Sequence, residues 1–420
     1  MGIHEEETNM LETEARRQSP AETQGTGVTG EGPATPFDRN RLDRLMEEAG
    51  IDVLLVTSKH NVQYLLGGHR AQFFSYMDAM GISRYLPVLV YPKGSPENAA
   101  YFGHKLEKHQ MEVRRFWVPE TWPASFGSVD AMELAINHVR RLGLASGRIG
   151  VERPFLPMDA AETLRSAAPN ARIVEGLVIL ERLRAIKSPE ELVKLSEASE
   201  RIIDSMLAVI GRHGPGSTKC AIAEALKREE ASRGLDFEYC LITAGASLNR
   251  APSDQPWQMG EPLSLDSGGN YQGYIGDLTR MAVLGEPDGE LQDLLGKVDS
   301  IQQVAFRMIE PGRRGGEVFA VANEALHALP EHDHMHFMAH GMGMISHEAP
   351  RLPTGGQMSY PAADAERPLE PGMVLSVETT LGHPKRGFIK LEDTVAVTAS
   401  GHEILGVRAR GWNRGGTGVS

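Results

Sequence analysis

Cysteine is scarce: the 420 residues contain two, Cys220 and Cys240. Two thiols cannot build a disulfide framework or a cysteine-type zinc site, and they read as a buried, unreactive pair in a reducing cytoplasm. No apolar run reaches the roughly 18 residues that a membrane span needs. The first residues lack the basic and apolar regions of a secretory signal. An excess of basic residues is also missing. Lysine and arginine number 43 against 56 acidic residues, a formal charge of −13. A sequence-independent grip on nucleic acid needs a basic surface and is therefore disfavoured. There is no glycine-rich phosphate fingerprint and no internal repeat.

What is present is ordinary globular composition, 41% hydrophobic and 24% charged, in a chain too long for one core, so two domains are expected. Residues 1–36 read as a disordered acidic tail, with seven Glu against two Arg and few large apolar residues. Residues 37–184 read as an α/β domain. Arg39 to Ala49 has the spacing of an amphipathic helix, with Leu42, Leu45 and Met46 on one face. Strands are expected at 51–57, 86–91, 99–102, 149–151 and 172–174, with a helix from Val129 to Leu142 between them. Ser188, Pro189 and Glu191 form a helix start with a capping box. They open a second domain, 185–420. Its helix carries Leu192, Leu195, Ile202, Met206 and Val209, a further helix follows Ser217 or Thr218, and a strand covers 237–243. Helices are expected near 289–309 and 316–328, and short strands and turns over 335–398.

The second domain is organised around Pro262 to Gly285. Asp266 and Asp277 lie in two apolar runs with Gly268, Gly269, Asn270, Gly273 and Gly276 between them. Side chains alternate along a strand, so positions eleven apart on one strand oppose each other, and a turn between them resets that parity. Taken alone, a surface hairpin with two solvated aspartates is equally served by this pattern. Further on, His340 and His347 are seven apart, Glu378 is the single charge in an apolar strand, and Glu392 stands in another with Lys390 and Asp393. A lone carboxylate in such a run is costly to bury unless it is paired or coordinated. Asp266, Asp277, His340, Glu378 and Glu392 together form an oxygen-rich set with one nitrogen. Four carboxylates cannot all stay ionised in one dry pocket, and two divalent cations remove the conflict. The donors favour manganese, iron, cobalt or zinc, manganese first.

These segments resemble the pita-bread metallohydrolases: methionine aminopeptidase, aminopeptidase P, prolidase and creatinase. The phrases IDVLLVTSKHNVQYLLG and ERLRAIKSPEEL extend the resemblance to the aminopeptidase P, prolidase and creatinase branch, over about 37–400. It implies an α/β N-terminal domain followed by an α+β pita-bread catalytic domain. It implies a dinuclear metal-dependent hydrolase that cleaves a C–N bond in a short peptide or small molecule, and a homodimer is expected. Carried over by residue, Asp266 chelates one ion, Asp277 and Glu392 bridge two, and His340 and Glu378 complete the second. Glu378 shuttles the proton of an acidified water, and His347 hydrogen-bonds the substrate. Arg250, His336 and Lys390 are assigned to substrate binding.

The chain also departs from the family. Pro252 and Ser253 stand where the loop before the first aspartate usually has a histidine, Glu378 is followed by Thr-Thr-Leu-Gly rather than Pro-Gly-x-Tyr, and Lys390 stands where arginine is common. The metal cage is intact and the substrate shell altered. A creatinase-like hydrolase, a lyase of the dimethylsulfoniopropionate type and a non-catalytic binding module are therefore alternatives. His332, His334 and His336 would share one face of a strand. Trp257 and the run Phe73, Phe74, Tyr76 are candidate pocket walls.

Overall fold

In the computed structural model, described over residues 34–69, 85–113, 116–352 and 364–417, the chain forms two β-sheets in succession. The tail to residue 33 and Phe73, Phe74 and Tyr76 lie outside the described residues. The first layer begins with helix Arg39–Ala49. Asp38 caps it by accepting from the Arg41 N–H, and Gly50 ends it at φ 64°, the left-handed region that glycine enters without strain. Leu42, Leu45 and Met46 are its buried face, the first and last of these contributing about 2 kcal/mol each.

Strands β1 (Val53–Val56), β2 (Val88–Pro92), β3 (Ala100–His104), β4 (Glu120–Ser125), β5 (Arg148–Val151) and β6 (Arg172–Glu175) lie in the order β4-β3-β2-β1-β5-β6. β1 runs antiparallel to β2 and parallel to β5. Side-chain alternation sends Leu54 and Val56 to the core of helix Arg39–Ala49 and Val53 and Leu55 to the core of helix Ser128–Arg141. Both faces are thus covered, as an α/β layer requires.

Ser188 accepts from the Glu191 N–H while Glu191 reaches back to the Ser188 N–H, and helix Pro189–Arg212 starts there. Helix Lys219–Ser232 follows, capped by Thr218. Then come β7 (Asp236–Ala244), β8 (Pro262–Tyr271), β9 (Tyr274–Val283), helices Gly289–Met308 and Gly315–His327, β10 (Met335–Gly341), β11 (Val374–His383), β12 (Gly387–Val397), β13 (His402–Leu405) and β14 (Asn413–Arg414). Their sheet has the order β10-β11-β12-β9-β8-β7, with β13 on β12 and β14 on β9. Helices lie against one face: Leu265 and Leu278 pack with the Ile202 side of helix Pro189–Arg212, and Val377 and Leu391 with helix Gly289–Met308. The architecture is an α/β N-terminal domain followed by an α+β pita-bread domain.

Two local expectations are corrected. β11 and β12 are ten and eleven residues long rather than short. They pair along one continuous antiparallel ladder that includes Ser376, Thr379 and Thr380. The turn between the aspartates is also tighter than its glycines suggest. It is Gln272-Gly273, with φ of 52° and 95°, the positive values a two-residue type I′ turn needs. The other glycines serve packing. A Cβ on Gly276 would lie 2.7 Å from Ile202 and 3.1 Å from the backbone of Ala198, so this glycine lets helix Pro189–Arg212 approach the sheet.

Beneath the hairpin, Glu230 is fully buried, donates nothing, and accepts from the Ser267 hydroxyl at 2.7 Å. Burial pushes its carboxyl up to about 8. The folded value lies above the unfolded one, so stability from this group is complete below the ordinary carboxylate range and is lost as pH rises toward 8. Glu230→Gln keeps an acceptor for Ser267 and cannot ionise. It is expected to stabilise the protein by about 2–4 kcal/mol at pH 7 and more at pH 9, with the gain vanishing near pH 4. Denaturant midpoints across this range test it, and a pH-independent difference would contradict the assignment.

Candidate metal centre

The helix-free face of the second sheet carries the polar residues, and strand register explains their meeting. Cross-strand partners share a face. Asp266 pairs with Thr279, two residues from Asp277, so the turn does reset the parity. Thr279 pairs with Glu392 across β9–β12, Glu392 with Glu378 across β12–β11, and Ser376 with His340 across β11–β10. One row of side chains therefore runs over five strands. Asp266, Asp277, Glu378 and Glu392 of this row line a cleft of about 740 Å³ together with Arg250, His336, His347 and Lys390.

Among the described residues, Asp277, His340 and Glu392 bring one ligand atom each within 4.8 Å of one another, all three buried. His340 Nδ1 lies 3.3 Å from the Gly341 carbonyl oxygen, while its Nε2 is buried without a hydrogen-bond partner. Such an orphan is costly unless something binds it. Burial lowers the His340 pKa, which keeps the ring neutral and able to donate a lone pair. Burial, then Glu392 and Asp266, raise Asp277 well above the usual carboxylate range. The conflict of like charges is real, and a divalent cation would relieve it. Glu392 is oriented by hydroxyls: Ser376 donates to Oε1 at 2.8 Å and Thr279 to Oε2 at 3.0 Å. One imidazole nitrogen and carboxylate oxygens, oriented from behind, fit a first-row divalent ion.

Asp266 and Glu378 lie in the same cleft but are turned to another partner. Lys390 Nζ stands 2.8 Å from Asp266 Oδ2 and 2.9 Å from Glu392 Oε2, and it pairs with Glu378 Oε2. Burial works against the ammonium, but these carboxylates hold the Lys390 pKa well above its ordinary value. Asp266 also pairs with Arg250, whose guanidinium stacks 5.0 Å over the Phe388 ring. The His347 ring stacks on His340 at 3.9 Å, and burial with His340 nearby lowers it to about 4.

Sequence reasoning did not find three supporting groups. The Tyr239 hydroxyl bonds Asp277, and its ring lies where a Cβ on Gly268 would be, 2.3 Å away. The pairing of Tyr239 with Gly268 across β7–β8 was readable only with register in hand. Glu348, next to His347, is clamped by Arg184 at 2.6 Å and Lys187 at 3.0 Å, all essentially buried. Arg184 and Lys187 stand in ERLRAIKSPEEL, so the segment joining the two sheets holds the His347 loop. Arg280 and Asp393 form a buried pair at 2.9 Å behind the row, and Arg280 also donates to the Glu392 carbonyl oxygen at 3.0 Å.

Other expectations are corrected. His332 and His334 belong to a 3-10 turn and His336 alone enters β10, because the chain turns before Met335. The three do not share a strand face. Trp257 is no pocket wall: it is fully buried, donates to the Glu261 carbonyl oxygen at 2.8 Å and packs in the core of helix Pro189–Arg212. Cys240 is buried, but Cys220 is half-buried near the start of helix Lys219–Ser232.

Comparison with known proteins agrees with this geometry. Residues 190–399 match the model of metallopeptidase family M24, and 39–186 match the creatinase/prolidase N-terminal domain. The uncharacterized peptidase YqhT of Bacillus subtilis is 27% identical, covering 87% of this chain and 96% of its own. The Xaa-Pro dipeptidase of Pyrococcus horikoshii is 23% identical, covering 87% and 95%. Among solved structures, an Xaa-Pro dipeptidase from Bacillus anthracis superposes with a TM-score of 0.73 at 23% identity, covering 88% and 96%. The prolidase from Pyrococcus horikoshii gives 0.71 at 21% identity, covering 88% and 97%. The chain belongs to metallopeptidase family M24, with a creatinase/prolidase N-terminal domain ahead of the catalytic one, and is a metal-dependent hydrolase.

Proposed function

We propose that the protein hydrolyses a C–N bond, peptide or amide, in a small substrate such as a dipeptide, with Asp277, His340 and Glu392 holding a divalent ion. The observation that carries this reading is the buried three-donor cluster, in which Asp277 and Glu392 line the cleft and the His340 Nε2 is orphaned. Manganese is the first candidate on the donor set, then iron, cobalt or zinc. When bound, such an ion supplies Lewis acidity and makes a water nucleophilic near neutral pH. The chain's own residues do the rest. Glu378, which lines the cleft, takes the proton released from the attacking water and returns it to the leaving nitrogen. His347, neutral at pH 7, donates a hydrogen bond to the substrate carbonyl oxygen as negative charge builds there. Arg250 and His336 line the same cleft and would steer the carboxylate end, while Leu241, Leu248 and Phe388 offer the apolar side. A homodimer in the cytoplasm is part of this proposal; among the described residues, no helix is long and apolar enough to cross a membrane.

A panel of dipeptides, with and without proline, tests the substrate class. N-methylated amino acids and sulfonium or betaine compounds are run beside it, because the loop before Asp266 lacks the usual histidine. Chelation is expected to abolish turnover of whichever compound reacts, and Mn²⁺ to restore it. Full activity of metal-free protein would refute the reading.

A further inference from the structure

We propose that the Lys390 ammonium is the resident cation of the Asp266–Glu378 half of the carboxylate pocket, so that each chain loads one divalent ion rather than two. The inference rests on the metal-dependent reading of this site and specifies how the site is filled.

The two halves of the pocket are chemically unequal. Asp277 and Glu392 stand with His340, the nitrogen donor whose Nε2 is buried and unpartnered. In the other half, Lys390 Nζ is 2.8 Å from Asp266 Oδ2, in contact with Glu378 Oε2, and 2.9 Å from Glu392 Oε2. Three carboxylates from three strands converge on one ammonium whose side chain is 5% exposed. This is the anionic surrounding a metal ion would have, and it is already neutralised. A metal ion in that place would need the same Asp266 and Glu378 oxygens and would have to displace the ammonium.

Charge balance points the same way. Asp266, Asp277, Glu378 and Glu392 carry four negative charges. Lys390 and Arg250, both paired to Asp266, carry two positive charges, and one divalent ion supplies the remaining two. A second divalent ion would leave a positive excess in a buried site or force the ammonium out of it. Glu378 and Glu392 also stand directly opposite each other across β11–β12. Like charges so placed repel, and Lys390 pairs with both. Lys390 reaches them because it lies two residues before Glu392 on the same strand face. Glu378 then stays off the ion, paired with the ammonium.

The full-length protein is stripped with chelator, reloaded with Mn²⁺ alone, desalted, and its metal counted per chain by elemental analysis, with calorimetric titration alongside. One ion per chain is expected for the wild type. Lys390→Met, which keeps most of the stem and deletes the charge, is expected to load two. Its metal-free form should melt below the metal-free wild type, and Mn²⁺ should raise its melting temperature more than that of the wild type. Asp266→Asn should still hold one ion. Two ions of similar affinity on the wild type overturn the inference and leave the hydrolase reading standing, as does a Lys390→Met protein that still loads one. A wild type that binds no ion overturns both. If Lys390→Met does not fold, the wild-type count and Asp266→Asn decide: loss of the single ion from Asp266→Asn refutes the assignment.

Discussion

Glu392→Gln is expected to empty the centre and to reduce turnover by roughly three orders of magnitude, the effect of losing several kcal/mol of transition-state stabilisation. Glu392 is where every part of the site meets. It supplies a ligand atom beside Asp277 and His340, accepts from Ser376 and Thr279, and shares the Lys390 ammonium. Glutamine retains one acceptor oxygen and replaces the other with an NH2 group, which faces either a hydroxyl or an ammonium. The strongest anionic donor is lost at the same time. Folding should be little affected, because removing one of several crowded carboxylates also relieves repulsion. Elemental analysis and steady-state rates check the prediction. A variant that keeps its metal and its rate would remove Glu392 from the centre.

The second large effect is expected at His347, and it should separate binding of the ion from chemistry on the substrate. His347→Ala is expected to lower kcat by about 10²–10³, the range for losing one donor to a developing oxyanion, with metal content retained. The ring stacks 3.9 Å from His340 but is not among the three grouped donors. Its pKa, lowered to about 4 by burial and by His340, leaves a neutral imidazole at pH 7 that donates a hydrogen bond without adding charge beside a cation. Its placement depends on the neighbouring Glu348, held by Arg184 and Lys187. Loss of metal from His347→Ala would make it part of the cage, and an unchanged kcat would place it away from the reaction.

Much of this was readable along the chain because the physics is local. Helix Pro189–Arg212 begins where Ser188 and Glu191 satisfy each other's backbone N–H groups, a matter of residues three apart. Lys390 and Glu392 share a face because side chains alternate. The residue types of Asp266, Asp277, His340, Glu378 and Glu392 by themselves restricted the chemistry to hard or borderline divalent ions. Where local reading failed, a longer-range contact had taken over. The glycines between the aspartates look like a broad turn, yet Gly268 makes room for Tyr239 and Gly276 for helix Pro189–Arg212. Trp257 looks like a pocket wall but fills the core behind the sheet.

By itself, then, the sequence determined which donors exist and which strand faces they occupy, since capping, alternation and turn parity depend on neighbours within a few residues. Only the tertiary structure decided how those donors divide. Thr279 and Glu392, 113 residues apart, meet through one register pair between β9 and β12. That register sets Asp277 and Glu392 beside His340 and delivers Lys390 onto Asp266 and Glu378. Which carboxylate faces a metal ion and which faces an ammonium depends on distances of a few ångströms between strands remote in sequence, and Coulomb energy changes steeply over that range.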